Sequence, residues 1–161
     1  MFISVPGYHQ CDCPPVIKVH KMDGLSVAAS LVAVVQLSAQ VFSLCQEYYI
    51  GVKQSRDEIQ RLSNEVLAIH EILLKISDVL EGPDATKFGT LALMDKKNGP
   101  TQQCAAQLQE LKAQLEPHEG MRKLGWRALK WPLKSDNVNK IVLSLERYKS
   151  TFTLALTTDQ A

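Results

Sequence analysis

The sequence predicts an all-α fold: a bundle of four main helices with one or two short connecting helices. Three observations carry that reading. Apolar residues recur at alternating steps of three and four along 59–80 and 138–155, a helical period that a strand does not share. Aromatic residues make up only 6% of the chain, and aliphatic side chains supply most of the apolar mass, which suits helix packing. Glycine and proline cluster in 82–100, where long helices would have to turn. At 161 residues the chain fits one domain with one sizeable core. That domain is expected over 22–161, behind a disordered or irregular lead-in at 1–21 that holds Pro6, Gly7, Pro14 and Pro15. Only Val16–Val19 suggests a strand, and weakly.

The first helix follows Met22, with Asp23 as its expected N-cap. From Gly24 to Gln46 no side chain is charged. A gap of that length fits a membrane span, a signal sequence or one helix of a soluble core. Ser26, Ser30, Ala33, Gln36, Gln40, Ser43 and Glu47 draw one small or polar stripe at helical spacing, and only Ser38 and Gln46 fall clearly off it. A bundle helix wetted along one edge needs such a stripe, and a lipid-embedded span does not. A signal peptide fits poorly, because the apolar region is too long and lacks a small-residue cleavage site. The core helix therefore leads. A third reading stays open: a core helix apolar enough to leave the bundle for a membrane when triggered, with Leu25, Val27, Leu31, Val34, Val35, Val41 and Phe42 as its apolar face.

The second helix is announced by Ser55–Glu58, which reads as a capping box. Behind it Ile59, Leu62, Val66, Ile69, Leu73, Ile76 and Leu80 form a seam of period 3.5. Glu71 and Lys75 form an outward pair, and Gly82-Pro83 stops the helix. A short helix is expected over Thr86–Met94. A third long helix follows with Cys104, Leu108, Leu111 and Leu115 on one face, ended by Pro117. Ser135 or Asp136 is expected to cap the last helix, whose seam is Val138, Ile141, Leu145, Tyr148, Phe152 and Ala155.

Net charge is +1, which gives no argument for nucleic acid. Positive charge is nonetheless concentrated between Met121 and Lys140. In Met121–Lys134 a helical wheel gathers Met121, Leu124, Ala128 and Trp131 on one side. Arg122, Lys123, Arg127 and Lys130 gather opposite, with Trp126 among them and Lys134 beyond. One reading is an interfacial helix facing anionic lipid, with tryptophans at headgroup depth. The plainer one is a connector helix whose Trp131 packs in the core and whose basic face is solvated.

Chemistry is hard to find. No phosphate-binding loop, zinc-protease motif, nucleophile elbow or dinucleotide fingerprint is present, so no enzymatic activity, cofactor or small-molecule substrate is expected. His9, Cys11 and Cys13, with His20 nearby, lack the spacing of a zinc knuckle and a second ligand pair, and no metal site is expected. Cys45 and Cys104 fall on apolar helix positions, and Cys11 and Cys13 are too close to bridge easily. The four cysteines thus suit a reducing, cytoplasmic compartment. His70 and His118 read as structural or exposed.

The stretches "MDGLSVAASLVAVVQLS", "YYIGVKQSRDEIQRLSNEV", "RALKWPLKS" and "LERYKSTFTLAL" resemble the fungal N-terminal domain of STAND (NLR-like) proteins. This is the HeLo-like group, which includes the N-terminal domain of azaphilone pigment cluster protein L. The likeness runs from Met22 to about Gln160, through packing patterns and not through a chemical signature. It implies a cytosolic bundle at the front of a receptor, acting through protein partners or self-association in cell-death or incompatibility signalling. It also implies membrane engagement by the first helix and basic faces, here Gly24–Cys45 and Arg122–Lys134. Members of the group start at the equivalent of Met22 and continue into a nucleotide-binding module. Residues 1–21 are then an extension or an upstream start, and the chain is a stand-alone adaptor-like domain or part of a receptor. Against the effector reading stands a soluble module that binds a partner helix and never meets lipid.

Overall fold

The structure, a computed structural model, describes residues 25–117 and 130–161, with side chains from Val27 onward. The lead-in, Asp23 as a cap, the weak strand signal at Val16–Val19, the histidine–cysteine cluster and His118 lie outside the described residues. Within them the elements are α1 (Leu25–Gly51), α2 (Arg56–Glu81), a 3-10 turn (Ala85–Lys87), α3 (Gly89–Met94), α4 (Pro100–Leu115) and α5 (Ser135–Gln160). No strand occurs among the described residues. The all-α bundle of four long helices is what the periodicities call for.

Side-chain pairs fix the topology. Ser38 meets His70 and Gln46 meets Ser63, so α1 and α2 run antiparallel, as a four-residue connection requires. Asn137 meets Gln114 while Pro100 and Thr151 line one pocket, so α4 and α5 are antiparallel too. The two hairpins pack side by side, α1 against α4 and α2 against α5. The α2–α5 contact is fastened at its rim by Lys149 to Glu65 at 2.6 Å and Arg61 to Asn139 at 2.7 Å.

The α2 seam is the centre of the core. Ile59, Leu62, Val66, Ile69 and Leu73 are fully buried, Ile76 nearly so, and Leu80 half-buried. Cys104, Leu108, Leu111 and Leu115 of α4 are equally closed, and the α5 seam is buried except for half-buried Tyr148. The predicted short helix resolves into two pieces, because Phe88 (φ −93°, ψ 70°) interrupts the helical path between the 3-10 turn and α3. Asp159, near the end of α5, accepts from the Thr90 and Leu91 amides at 3.1 and 2.8 Å. It thereby caps a helix that has no cap of its own.

Three local expectations fail. Ser55 sits in the left-handed region (φ 61°, ψ 23°) and makes no side-chain cap bond. The reversal between α1 and α2 takes that conformation, so the capping box does not form. Its main-chain carbonyl still accepts from Ile59 at 3.0 Å, and Asp57 and Glu58 place negative charge in the first turn. Neither Ser135 nor Asp136 caps α5: extended Lys134 stands at the N-cap, and both residues lie inside the first turn. Glu71 and Lys75 are exposed but are not among the ion pairs formed by the described residues.

The outer face of α5 has one further regularity. The hydroxyls of Ser150, Thr151, Thr153, Thr157 and Thr158 all donate to main-chain carbonyls one turn back, at 2.8 to 2.9 Å. Leu143 and Leu154 stand exposed along the same helix.

Candidate functional site

The first helix packs against both α2 and α4. Leu31, Val34, Ser38, Val41, Cys45 and Tyr48 are buried, at steps of three and four. Val27, Val35 and Phe42 are half-buried beside them, and Leu25 opens the helix. The opposite face, with Ala29, Val32, Ala33, Gln36, Ala39, Gln40 and Ser43, is exposed and carries no charge. Of the predicted stripe, Ala33, Gln36, Gln40 and Ser43 are exposed and Ser30 and Glu47 half-covered, while the Ser26 side chain lies outside the described residues. Val27–Gly51 is long and apolar enough to cross a membrane, and only 22% of its most apolar 18-residue stretch is buried.

Ser38 and Gln46, the two polar residues off the stripe, explain themselves here. The Ser38 hydroxyl, fully buried, lies 2.7 Å from the Val35 carbonyl and 2.9 Å from His70 Nδ1, which also stands 3.2 Å from that carbonyl. Gln46 Nε2 donates to the Ser63 hydroxyl at 2.8 Å. Both exceptions are inward-facing polar bonds from α1 to α2, and a buried polar group needs such a partner. His70 is thus half-buried and bonded, in keeping with the structural reading of it.

At the other end of the seam Tyr48 reaches two elements. Its hydroxyl donates to the Leu115 carbonyl at 3.0 Å, and its ring meets Trp131 edge-on, centroids 5.3 Å apart at 78°. That contact brings the Lys130–Lys134 segment to the C-terminal end of α1. Residues 130–134 are not helical, so the amphipathic helix expected over Met121–Lys134 does not extend to its end. Pro132 has no amide hydrogen to continue one. Trp131 faces Tyr48 and the core, as the plainer reading had it, and its Nε1 is buried without a partner among the described residues. Lys130 and Lys134 are exposed. Arg122, Lys123, Trp126 and Arg127 lie outside the described residues.

A groove of about 410 Å³ runs between α1 and α4, and nothing in the sequence announced it. Asp95, just after α3, and Thr101, in the first turn of α4, lie at one end of it. Burial pushes the Asp95 carboxyl up from its ordinary value, and the nearby Ser30 hydroxyl draws it partly back. Elsewhere burial pushes the Cys104 thiol up to about 12, which leaves it a space-filling group and not a nucleophile. Among the described residues no three His, Cys, Asp or Glu side chains are placed to share a metal ion.

The family model described as pigment biosynthesis cluster protein PigL N-terminal matches residues 22–160. The chain belongs to that family. The match begins at Met22, where the uncharged helix begins in the sequence, and takes in every element of the bundle. Family membership thus covers the whole described fold and stops short of the lead-in. No curated protein and no solved structure matches the chain.

Proposed function

We propose that the domain is a non-enzymatic effector module of the NLR-like (STAND) type, which self-associates and engages membranes through α1 in a cell-death or incompatibility response. One observation carries the reading: the most apolar helix turns a face without charge to solvent. A core helix of that length and composition is ordinarily enclosed, whereas α1, though packed against α2 and α4, shows solvent an uncharged face. Leaving the bundle would expose the seam of Leu31, Val34, Val41, Cys45 and Tyr48 to lipid instead of water, at little hydrophobic loss on the α1 side, and the α2 and α4 faces left behind would need new cover, which self-association supplies. Arg122, Lys123, Arg127, Lys130 and Lys134 supply the attraction that brings the bundle to an anionic surface, each worth about 1 kcal/mol close to it. The module acts in the cytoplasm and is recruited to membrane when triggered.

Co-sedimentation with anionic and neutral vesicles at two salt concentrations tests this. Salt-sensitive binding to anionic vesicles is expected, and changing all five basic residues to Gln should abolish it while leaving the helical content intact. Equal vesicle binding by parent and five-Gln variant removes the basic segment's role. No binding by either favours the soluble interaction module, which would meet a partner protein without lipid.

A further inference from the structure

The α1–α4 groove ends on two polar atoms that no described residue satisfies. Asp95 is only 8% exposed and Thr101 1%, yet Asp95 Oδ1 and Thr101 Oγ1 have no hydrogen-bond partner among the described residues. Both residues line the groove. A buried acceptor and hydroxyl left unpaired oppose folding, so this pair calls for a donor arriving from the groove.

The surroundings say which donor. An anion is excluded by the carboxylate itself. A bare metal ion would need several more oxygen or nitrogen ligands than one carboxylate and one hydroxyl provide. Lys112, farther along the groove, is engaged with Glu116 at 3.5 Å, and none of the ion pairs among the described residues includes Asp95. Beyond the polar end the walls offer aliphatic surface, Ala33, Val34 and Leu37 from α1 and Ala105 from α4, bordered by the amides of Gln36, Gln40, Gln102 and Gln109. The volume falls in the range of small-ligand sites.

We propose that this groove binds a small aliphatic ammonium compound, its charged head between Asp95 and Thr101 and its hydrocarbon stem on Ala33, Leu37 and Ala105. An ammonium has three donors, enough for both unsatisfied oxygens, and its bond to the carboxylate is charge-assisted. The site is separate from the basic segment and does not depend on α1 entering a membrane. A bound ligand would touch α1 and α4 together and so hold the two hairpins against each other.

The test is an NMR titration of the full chain with n-butylammonium chloride, with n-butanol and sodium butyrate as matched controls. Saturable shifts confined to residues near Asp95, Thr101 and Ala33 are expected with the ammonium and not with butyrate. Asp95→Asn should weaken the interaction roughly tenfold or more, and Thr101→Val should weaken it less. Ala33→Trp, an exposed position on the groove wall, should block the titration while leaving the melting curve in place. It decides the matter if Asp95→Asn fails to fold. The proposal is overturned if the ammonium gives no saturable shifts, if butanol binds as well as the ammonium, or if Ala33→Trp titrates like the parent.

Discussion

Replacing Tyr48 by Phe removes one oxygen and tests how the C-terminal end of α1 is held. The Leu115 carbonyl belongs to the last turn of α4, where no amide of the helix itself is available to it. In the parent it accepts the Tyr48 hydroxyl at 3.0 Å, in a buried bond between residues 67 apart in sequence. Phenylalanine keeps the ring, its edge-on contact with Trp131 and its place in the seam, so no cavity term enters. What remains is a buried carbonyl without a donor, a loss of about 1.5 kcal/mol within a usual range of about 1–3. For a domain of this size, that lowers the thermal midpoint by about 3–6 °C. Calorimetry or circular dichroism of the full chain reads it directly. A midpoint within about one degree of the parent would mean that water reaches the Leu115 carbonyl, and the seam would then not be closed at Tyr48. If α1 must detach to act, the same variant should bind anionic vesicles better than the parent, because its held state has been weakened and its released state has not.

Three further outcomes follow from named contacts. Ile69→Asp places a charge at a fully buried point of the α2 seam and should cost several kcal/mol, about 3 or more, enough to abolish a cooperative melt; an unchanged melting curve would refute the core assignment. Gly99→Ala would drive a Cβ into the Met94 carbonyl oxygen and against that of Lys96, so a clear drop in midpoint is expected even though the Gly99 backbone angles are ordinary; a stabilised variant would show that the α3–α4 turn yields easily. Partial desolvation pushes the Asp159 carboxyl up, but the Thr90 side chain and the Leu91 and Thr90 amides outweigh it and hold it below the usual carboxylate range. Its contribution is therefore complete above the unfolded-state value of about 3.9 and is lost as pH falls through the lower folded-state value. Asp159→Asn should flatten the acid limb of a midpoint-versus-pH curve, and an unaltered limb would show that the cap carries no charge dependence.

The bundle was legible because its seams follow a strict period: every residue of the α2 pattern from Ile59 to Ile76 is buried. Local hydrogen bonding was less legible, for a reason that Ser55 shows. A capping box depends on the backbone angles of its first residue, and those are set by how tightly α1 turns into α2, a tertiary matter. Trp131 tells the same story. The helical wheel placed it on an apolar side, but it stands before Pro132 in a non-helical segment, packed edge-on against Tyr48. Ser38 and Gln46 were visible as exceptions to the α1 stripe, yet their partners His70 and Ser63 could be paired with them only once the register of α1 against α2 was known. The groove left no trace in sequence, since Asp95 and Thr101 come together only when α3, α4 and α1 meet.

The back-bonded hydroxyls of α5 change what that helix offers to its surroundings. By composition Ser150, Thr151, Thr153, Thr157 and Thr158 look like a water-loving strip. Each hydroxyl proton is already committed to the helix's own carbonyls, so these side chains keep only the capacity to accept. Beside Leu143 and the two-thirds-exposed Leu154, they make a surface that is polar in name and oily to the touch. Hydropathy scales will rate α5 as more soluble than its surface is, and retention on a hydrophobic-interaction column should exceed what the sequence suggests.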